Sequence, residues 1–226
     1  MSWIHRLLGK DGTTQLGIDP KHFAARVAQR PMEVGARGAY HAAFYTGVLP
    51  AALGANSEIF QFRFVHASFQ AMPRRVLVAA AVSTTAFAAG VPVAIEMRHA
   101  RSWSAQGTLG TGITWGSNDG KKKTSHASTV LAAGDVRIAT TAALGAGTKT
   151  LDGTPCGHVL WQPGTAVNQM NLTPIWERIA DAYPPNYLNQ EGFVIRSVEV
   201  PATGTWKACI VVEWDEIDPA GVDGWT

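Results

Sequence analysis

The segment nearest to a recognisable chemistry is Gly145-Ala146-Gly147-Thr148-Lys149-Thr150, which approaches a phosphate-binding loop. Such a loop wraps its phosphate in backbone N–H groups and needs glycine directly before the lysine. Thr148 stands there, so the segment reads as a turn between strands. Gly107 to Gly112 fails as a dinucleotide fingerprint, because Trp115 occupies the third glycine position. No Gly-x-Ser-x-Gly run offers a serine nucleophile. Seven histidines (His5, His22, His41, His66, His99, His126 and His158) are scattered without metal-ligand spacing, and there is no Cys-x-x-Cys. His99 shares a strand face with Ile95 and Met97 and reads as a hydrogen-bonded core or interface residue.

Acidic and basic groups give equally bland readings. Glu96, Glu191 and Glu199 are carboxylates that could meet in space for sugar hydrolysis, but strand-end acids are ordinarily solvated. Glu213, Asp215, Glu216 and Asp218 are oxygen ligands suited to Ca²⁺, yet no twelve-residue loop organises them; Asp215, Glu216 and Asp218 are expected to end a strand in solvent. Lys121-Lys122-Lys123 is the only basic run. It reads as a solvated loop tip, with contact to an acidic patch on a neighbouring subunit as its functional reading. No aromatic-interleaved basic stripe accompanies it, so nucleic-acid binding is not expected. No catalytic, cofactor-binding or metal-ligating residue is expected in this chain.

The elements that would carry these residues are mostly strands. Ile59 to Val65 places Phe60, Phe62 and Phe64 on one face and Gln61 and Arg63 on the other. Arg74 to Val82 is an apolar run of strand length, consistent with burial on both faces. Val93 to Arg101 alternates again, and Val136 to Thr141 is a short strand. Ser104 to Lys123 reads as a long exposed loop, and Gly145 to Gly153 as a turn region. Thr173 and Pro174 signal a short helix stopped by Pro184-Pro185, with Ile175 and Ile179 four apart. Asp19-Pro20, followed by Phe23 and Val27, fits either a helix start or part of an extended arm ending at Pro31. At the C-terminal end, Phe193–Val200 and Trp206–Trp214 read as two strands joined by the turn Pro201-Ala202-Thr203-Gly204. In the second, Trp206, Ala208, Ile210, Val212 and Trp214 share one face, and Lys207, Cys209, Val211 and Glu213 the other. The fold class that follows is all-β: a β-sandwich, jelly-roll-like, with an N-terminal arm (1–38), a sandwich domain (39–226) and one or two short helices.

Bulk properties agree. The 226 residues are 46% hydrophobic and can bury a sizeable core without a disulfide or metal staple. Cys156 and Cys209 are the only cysteines and are expected to be reduced. A net charge of +2 is too small to point to nucleic acid or a membrane surface. Only 16% of residues are charged, against about 25% in ordinary soluble domains, which suggests that much of the surface meets another subunit. No signal peptide is read at Met1 to Leu8, and the apolar run Val76 to Val82 is too short to span a bilayer.

The closing segment also resembles a family of tailed-bacteriophage structural proteins. The residues that carry this are Asn189-Gln190-Glu191-Gly192-Phe193-Val194-Ile195-Arg196, Val200 to Trp206, and Glu213 to Glu216, which match the closing hairpin of that family. Earlier stretches look similar in the same order: Leu16 to Pro20, Ala24 to Val27 with Arg30-Pro31, Thr84 to Phe87, Gly134 to Ala139, and Thr148 to Asp152.

The resemblance implies a non-enzymatic virion component, made in the host cytoplasm and placed on the capsid surface as a decoration or cement protein. Its partners would be the major capsid protein and itself, as a homotrimer by analogy with other phage decoration proteins. An arm reaching between capsid subunits would use Ile18, Phe23 and Arg26, and the loop would use Lys121, Lys122 and Lys123. A head fibre or a tail or baseplate protein is the alternative within the virion. Outside it, the eight tryptophans leave open a carbohydrate-binding or sugar-cleaving β-sandwich.

Overall fold

A computed structural model of the chain describes residues 37–51, 53–87, 92–161, 168–171, 185–199 and 202–217. The helix expected at 173–184 and the arm or helix at 19–31 lie outside these residues. The chain divides after Glu33, and everything described here belongs to the unit that follows.

Twelve strands form among the described residues: β1 (Gly38–Tyr45), β2 (Leu49–Pro50), β3 (Ser57–Phe64), β4 (Gln70–Val82), β5 (Val93–Ala105), β6 (Thr111–Gly112), β7 (Val136–Ile138), β8 (Thr148–Leu151), β9 (Gly157–Trp161), β10 (Asn168–Asn171), β11 (Glu191–Glu199) and β12 (Thr205–Ile217). One sheet runs β1-β12-β4-β10, with β2 also on β12; the other runs β6-β7-β3-β11-β5-β8, with β9 also on β5.

The long-range order is that of a jelly roll. Without the short β2 and the strands β6 to β8 of an excursion at 106–156, eight strands remain. They pair first with last, antiparallel throughout: β1 with β12, β3 with β11, β4 with β10, and β5 with β9. A long four-rung hairpin folded over itself then adds the contacts β12–β4 and β11–β5. Two Greek keys in a double sheet are the expected product of that folding.

The sheets meet through their aromatic faces. Phe62 of β3 lies edge-on to Trp214 of β12, with ring centroids 5.7 Å apart, and Phe44 of β1 lies 5.3 Å from Phe60 of β3. Trp206, Trp214, Phe60, Phe62, Phe64 and Phe193 are all fully buried. Each such side chain contributes about 2–3 kcal/mol by leaving water. The alternation expected in β12 is present: Trp206, Ala208, Ile210, Val212 and Trp214 are buried, while Lys207 is exposed.

Three expectations are corrected. The closing strands β11 and β12 form, but they do not pair with each other as a hairpin. β11 lies between β3 and β5, and β12 between β1 and β4. Phe193, Val194 and Ile195 are buried on both faces of β11, as suits a strand at a central place in its own sheet. The turn region at 145–153 contains β8, and the long loop from Ser104 is interrupted by the end of β5 and by β6. Backbone pairing also continues along the β1 edge, where His41 N donates to Gly120 O and Lys122 N to Ala39 O. The excursion thus covers an edge that would otherwise offer free N–H and C=O groups, and it delivers Leu131, Val136, Ile138 and Leu144 to the core. Gly38 opens β1, and Arg37 N donates to Glu216 O.

Candidate functional site

Of the residues expected to touch a partner, Ile18, Phe23 and Arg26 lie outside the described residues. The structure places Lys121, Lys122 and Lys123 together in the segment laid along β1. Lys122 is already engaged: its Nζ lies 2.7 Å from Glu213 Oε2 of β12, a half-exposed pair. Lys123 is exposed. Beside this segment an open groove of about 580 Å³ is lined by His41, Phe44, Ile113, Trp115, Asp119 and Lys121, among others.

The acids expected in solvent at the end of β12 are instead buried, which corrects that reading. Glu216 is fully inaccessible. Its carboxylate accepts hydrogen bonds from Arg37 Nε, Thr129 Oγ1, the Val130 N–H and Trp214 Nε1. It thereby ties the excursion to the sheet. Asp215 is buried beside Arg74 at 3.4 Å, and burial raises its carboxyl above the ordinary range despite that arginine. β12 keeps its alternation here: Glu216 lies on the same face as Trp214, and the pairing with β1 runs without a shift through this stretch. The extra residue at the shift between Glu213 and Trp214 is Arg74 of β4, which lies beside Asp215. Asp218 is outside the described residues. Glu199 is exposed as expected, but Glu96 is buried and held by Arg98 and Arg196. Among the described residues no three metal-ligating side chains come together.

His99 behaves as its face suggested. Its Nδ1 lies 2.7 Å from the hydroxyl of Tyr187, and burial lowers its pKa. Cys156 and Cys209 are free thiols, and burial pushes the Cys156 thiol up to about 12.

The densest chemistry lies on the outer face of the seven-stranded sheet. Bulges assemble it. In β3, Phe60 pairs with Ile195 and Glu58 with Arg196, so the extra residue Ile59 brings Glu58 onto the same face as Gln61. In β5, Ser102 has φ +50° and the register shifts after Arg101, which sets Trp103 on the same face as Ala100. Trp103, Ala100 and Val194 form a small second core there, with Leu151 of β8 against it.

Lys149 of β8 enters this core. Its side chain is 3% exposed and that of Glu58 is 7% exposed. Lys149 Nζ donates to Glu58 Oε2 at 2.9 Å and also to Ala146 O, and it lies 4.6 Å from the centre of the Trp103 ring. Gln61 is fully buried, and its Nε2 donates to the same Glu58 Oε2 at 2.5 Å and to Gly145 O at 2.8 Å. Gln61 Oε1 is buried with no hydrogen-bond donor among the described residues. Burial lowers the Lys149 pKa, which Glu58 only partly offsets. Gly107 packs over the amide so closely that a Cβ there would fall 2.5 Å from Oε1. Sequence reading rejected Lys149 as a phosphate ligand and found no other signal. Residue 149 is distant in the chain from 58 and 61, and only the bulge in β3 and the return of the excursion bring the three together.

Comparison with protein-family models, with curated proteins and with solved structures finds no match for this chain.

Proposed function

We propose that this chain is a non-enzymatic structural protein of a tailed-bacteriophage virion, a decoration protein that binds the outer face of the capsid. The observation that carries this reading is the run of family-like segments in chain order, from Leu16-Gly17-Ile18-Asp19-Pro20 to Glu213-Trp214-Asp215-Glu216. The jelly-roll topology supports it by analogy, since viral shell domains use this architecture; lectins use it too, so the fold alone does not choose. Three of the tryptophans that might have served as sugar platforms, Trp103, Trp206 and Trp214, are fully buried, which weakens the carbohydrate reading.

In this proposal the mechanism is mechanical. The two sheets and the pinned excursion give a rigid body. Trimer contacts and an arm between residues 1 and 31 spread load over several major capsid protein subunits, so that lattice expansion must break many contacts together. Copy number in purified virions tests it directly. A ratio near one per major capsid protein is the expected result. A few copies per particle would move the protein to a head fibre, tail or baseplate, and absence from virions would overturn the structural reading. Deleting residues 1–31 is expected to abolish capsid binding while the sandwich stays folded. Capsid binding at the level of the intact chain would remove the arm from the mechanism.

A further inference from the structure

We propose that the side chains of Lys149 and Gln61 become joined by an amide bond, formed by the protein itself with Glu58 as the proton carrier. The proposal does not rest on the virion reading; it stands on the outer-face cluster alone.

Three groups are required for such a bond, and all three are present. Lys149 supplies a primary amine, Gln61 a carboxamide, and Glu58 a carboxyl group that touches both. One oxygen, Glu58 Oε2, is bonded to the incoming nitrogen at 2.9 Å and to the leaving nitrogen at 2.5 Å. A carboxyl group in that position can take a proton from one nitrogen and return it to the other without moving. Holding amine and amide in one dry pocket replaces a bimolecular encounter with an intramolecular one, which is where the largest gain in such reactions lies.

The steps balance without a co-reactant. A proton first passes from the Lys149 ammonium to the Glu58 carboxylate it touches, giving the free amine that attack requires. The amine lone pair attacks Gln61 Cδ, and the carbonyl electrons move onto Oε1. The tetrahedral centre collapses: the Cδ–Nε2 bond breaks, Glu58 protonates the leaving nitrogen, and Glu58 then takes the remaining extra proton from Nζ. The products are a secondary amide and one molecule of ammonia. Nothing is oxidised or reduced.

Two further features separate this cluster from an ordinary buried ion pair. Such pairs persist when every lone pair and proton is satisfied, yet Gln61 Oε1 is buried without a donor among the described residues. Water, which would compete as nucleophile, is excluded by Trp103 on one side and by Gly107, which admits no side chain over the amide, on another. The bond would join β3 to β8 and lock the returning excursion onto the sandwich.

Intact-mass measurement of the full-length chain, purified folded and then denatured, reads the bond directly. The expected mass is lower than the sequence mass by one ammonia, and Lys149→Arg and Glu58→Gln, checked for folding by circular dichroism, are expected to show no such loss. Trypsin should then fail to cut after Lys149 and should release a branched peptide joining residues 38–63 to the peptide that begins at Ile138. A wild-type chain at full sequence mass overturns the proposal without any variant. So does an ammonia loss with no branched peptide, which would place the loss at another residue. Complete bond formation in Glu58→Gln would overturn the role given to Glu58.

Discussion

Two buried carboxylates on the outer face of the seven-stranded sheet invite comparison, because their partners differ in one property. Glu96 is held by two guanidiniums, Arg98 Nε at 2.6 Å and Arg196 Nε. Glu58 is held by an ammonium and a carboxamide, Lys149 and Gln61. An arginine does not give up its proton in a protein, so the Glu96 cluster has no route to a nucleophile and can only be an ion-pair network. A lysine readily becomes a free amine when buried. Both clusters fasten the excursion: Arg98 Nη1 donates to Asp152 O at 2.9 Å and to Gly153 O, and Lys149 itself lies on β8. The same structural task is therefore done once with groups that must stay as they are and once with groups that can react.

The largest effect that would break this comparison comes from Lys149→Arg. The variant keeps a cation beside Glu58 but cannot form the amide. A cross-link between residues 61 and 149 closes a long loop, and by the loop-closure argument used for disulfides its loss should cost about 4 kcal/mol. An unfolding free energy from guanidine denaturation lowered by that amount is the expected outcome. A cost under about 1 kcal/mol, the scale of an imperfect repacking, would put Glu58 and Glu96 in the same class.

Glu96→Gln sharpens the other side. It leaves two largely buried guanidiniums facing a neutral amide, and the expected loss is about 3 kcal/mol, at the low end for a broken buried pair because both arginines reach some water. Acid titration reads the same group. Burial works to raise the Glu96 carboxyl, but Arg98 and Arg196 outweigh it and its pKa is lowered from the usual 4.5. A lowered carboxylate contributes stability that is fully present above the unfolded value and lost as pH falls through the folded one. Stability should therefore fall below pH 4.5 in the wild type and fall less in Glu96→Gln, measured by midpoint shifts across that range.

How much of this was legible follows from what each residue's placement depends on. The inward stripe of β12 and the Phe60, Phe62, Phe64 face of β3 depend only on period-two alternation, and both are readable in the chain. The pairing of β11 and β12 depends on which strands compete for their edges, and a short Pro/Gly connection between two apolar strands signals a hairpin whether or not they part into separate sheets. Asp215 and Glu216 were misread because their burial comes from partners far away in the chain: Glu216 continues the inward stripe of β12 and meets Arg37 and Thr129, and Asp215 meets Arg74. The Glu58–Gln61–Lys149 cluster was invisible for the same reason. A bulge at Ile59 is a one-residue event whose cause is pairing with β11, well over a hundred residues later.

The smallest expected effect concerns a third polar contact, on the inner face of the same sheet. Tyr187 exchanges two backbone hydrogen bonds with Ala71 of β4 and meets His99 of β5 through its hydroxyl, so this contact spans the two sheets. The phenol is held protonated by burial, which makes it the donor and neutral His99 the acceptor. Protonating His99 would end its role as acceptor and put a charge where burial disfavours one. Burial lowers the His99 pKa from 6.5, with Asp152 and Glu191 pulling it up and Arg101 pushing it down. A histidine with a lowered pKa contributes stability that is present above its unfolded value and lost as pH falls below it. Between pH 6.5 and 5 the wild type should lose about 1 kcal/mol, the net worth of one such hydrogen bond. His99→Gln, which can still accept from Tyr187 but cannot titrate, should remove that slope. A slope that survives the substitution would assign it to another group and leave the inner-face contact indifferent to pH, as the Glu96 network is over the same interval.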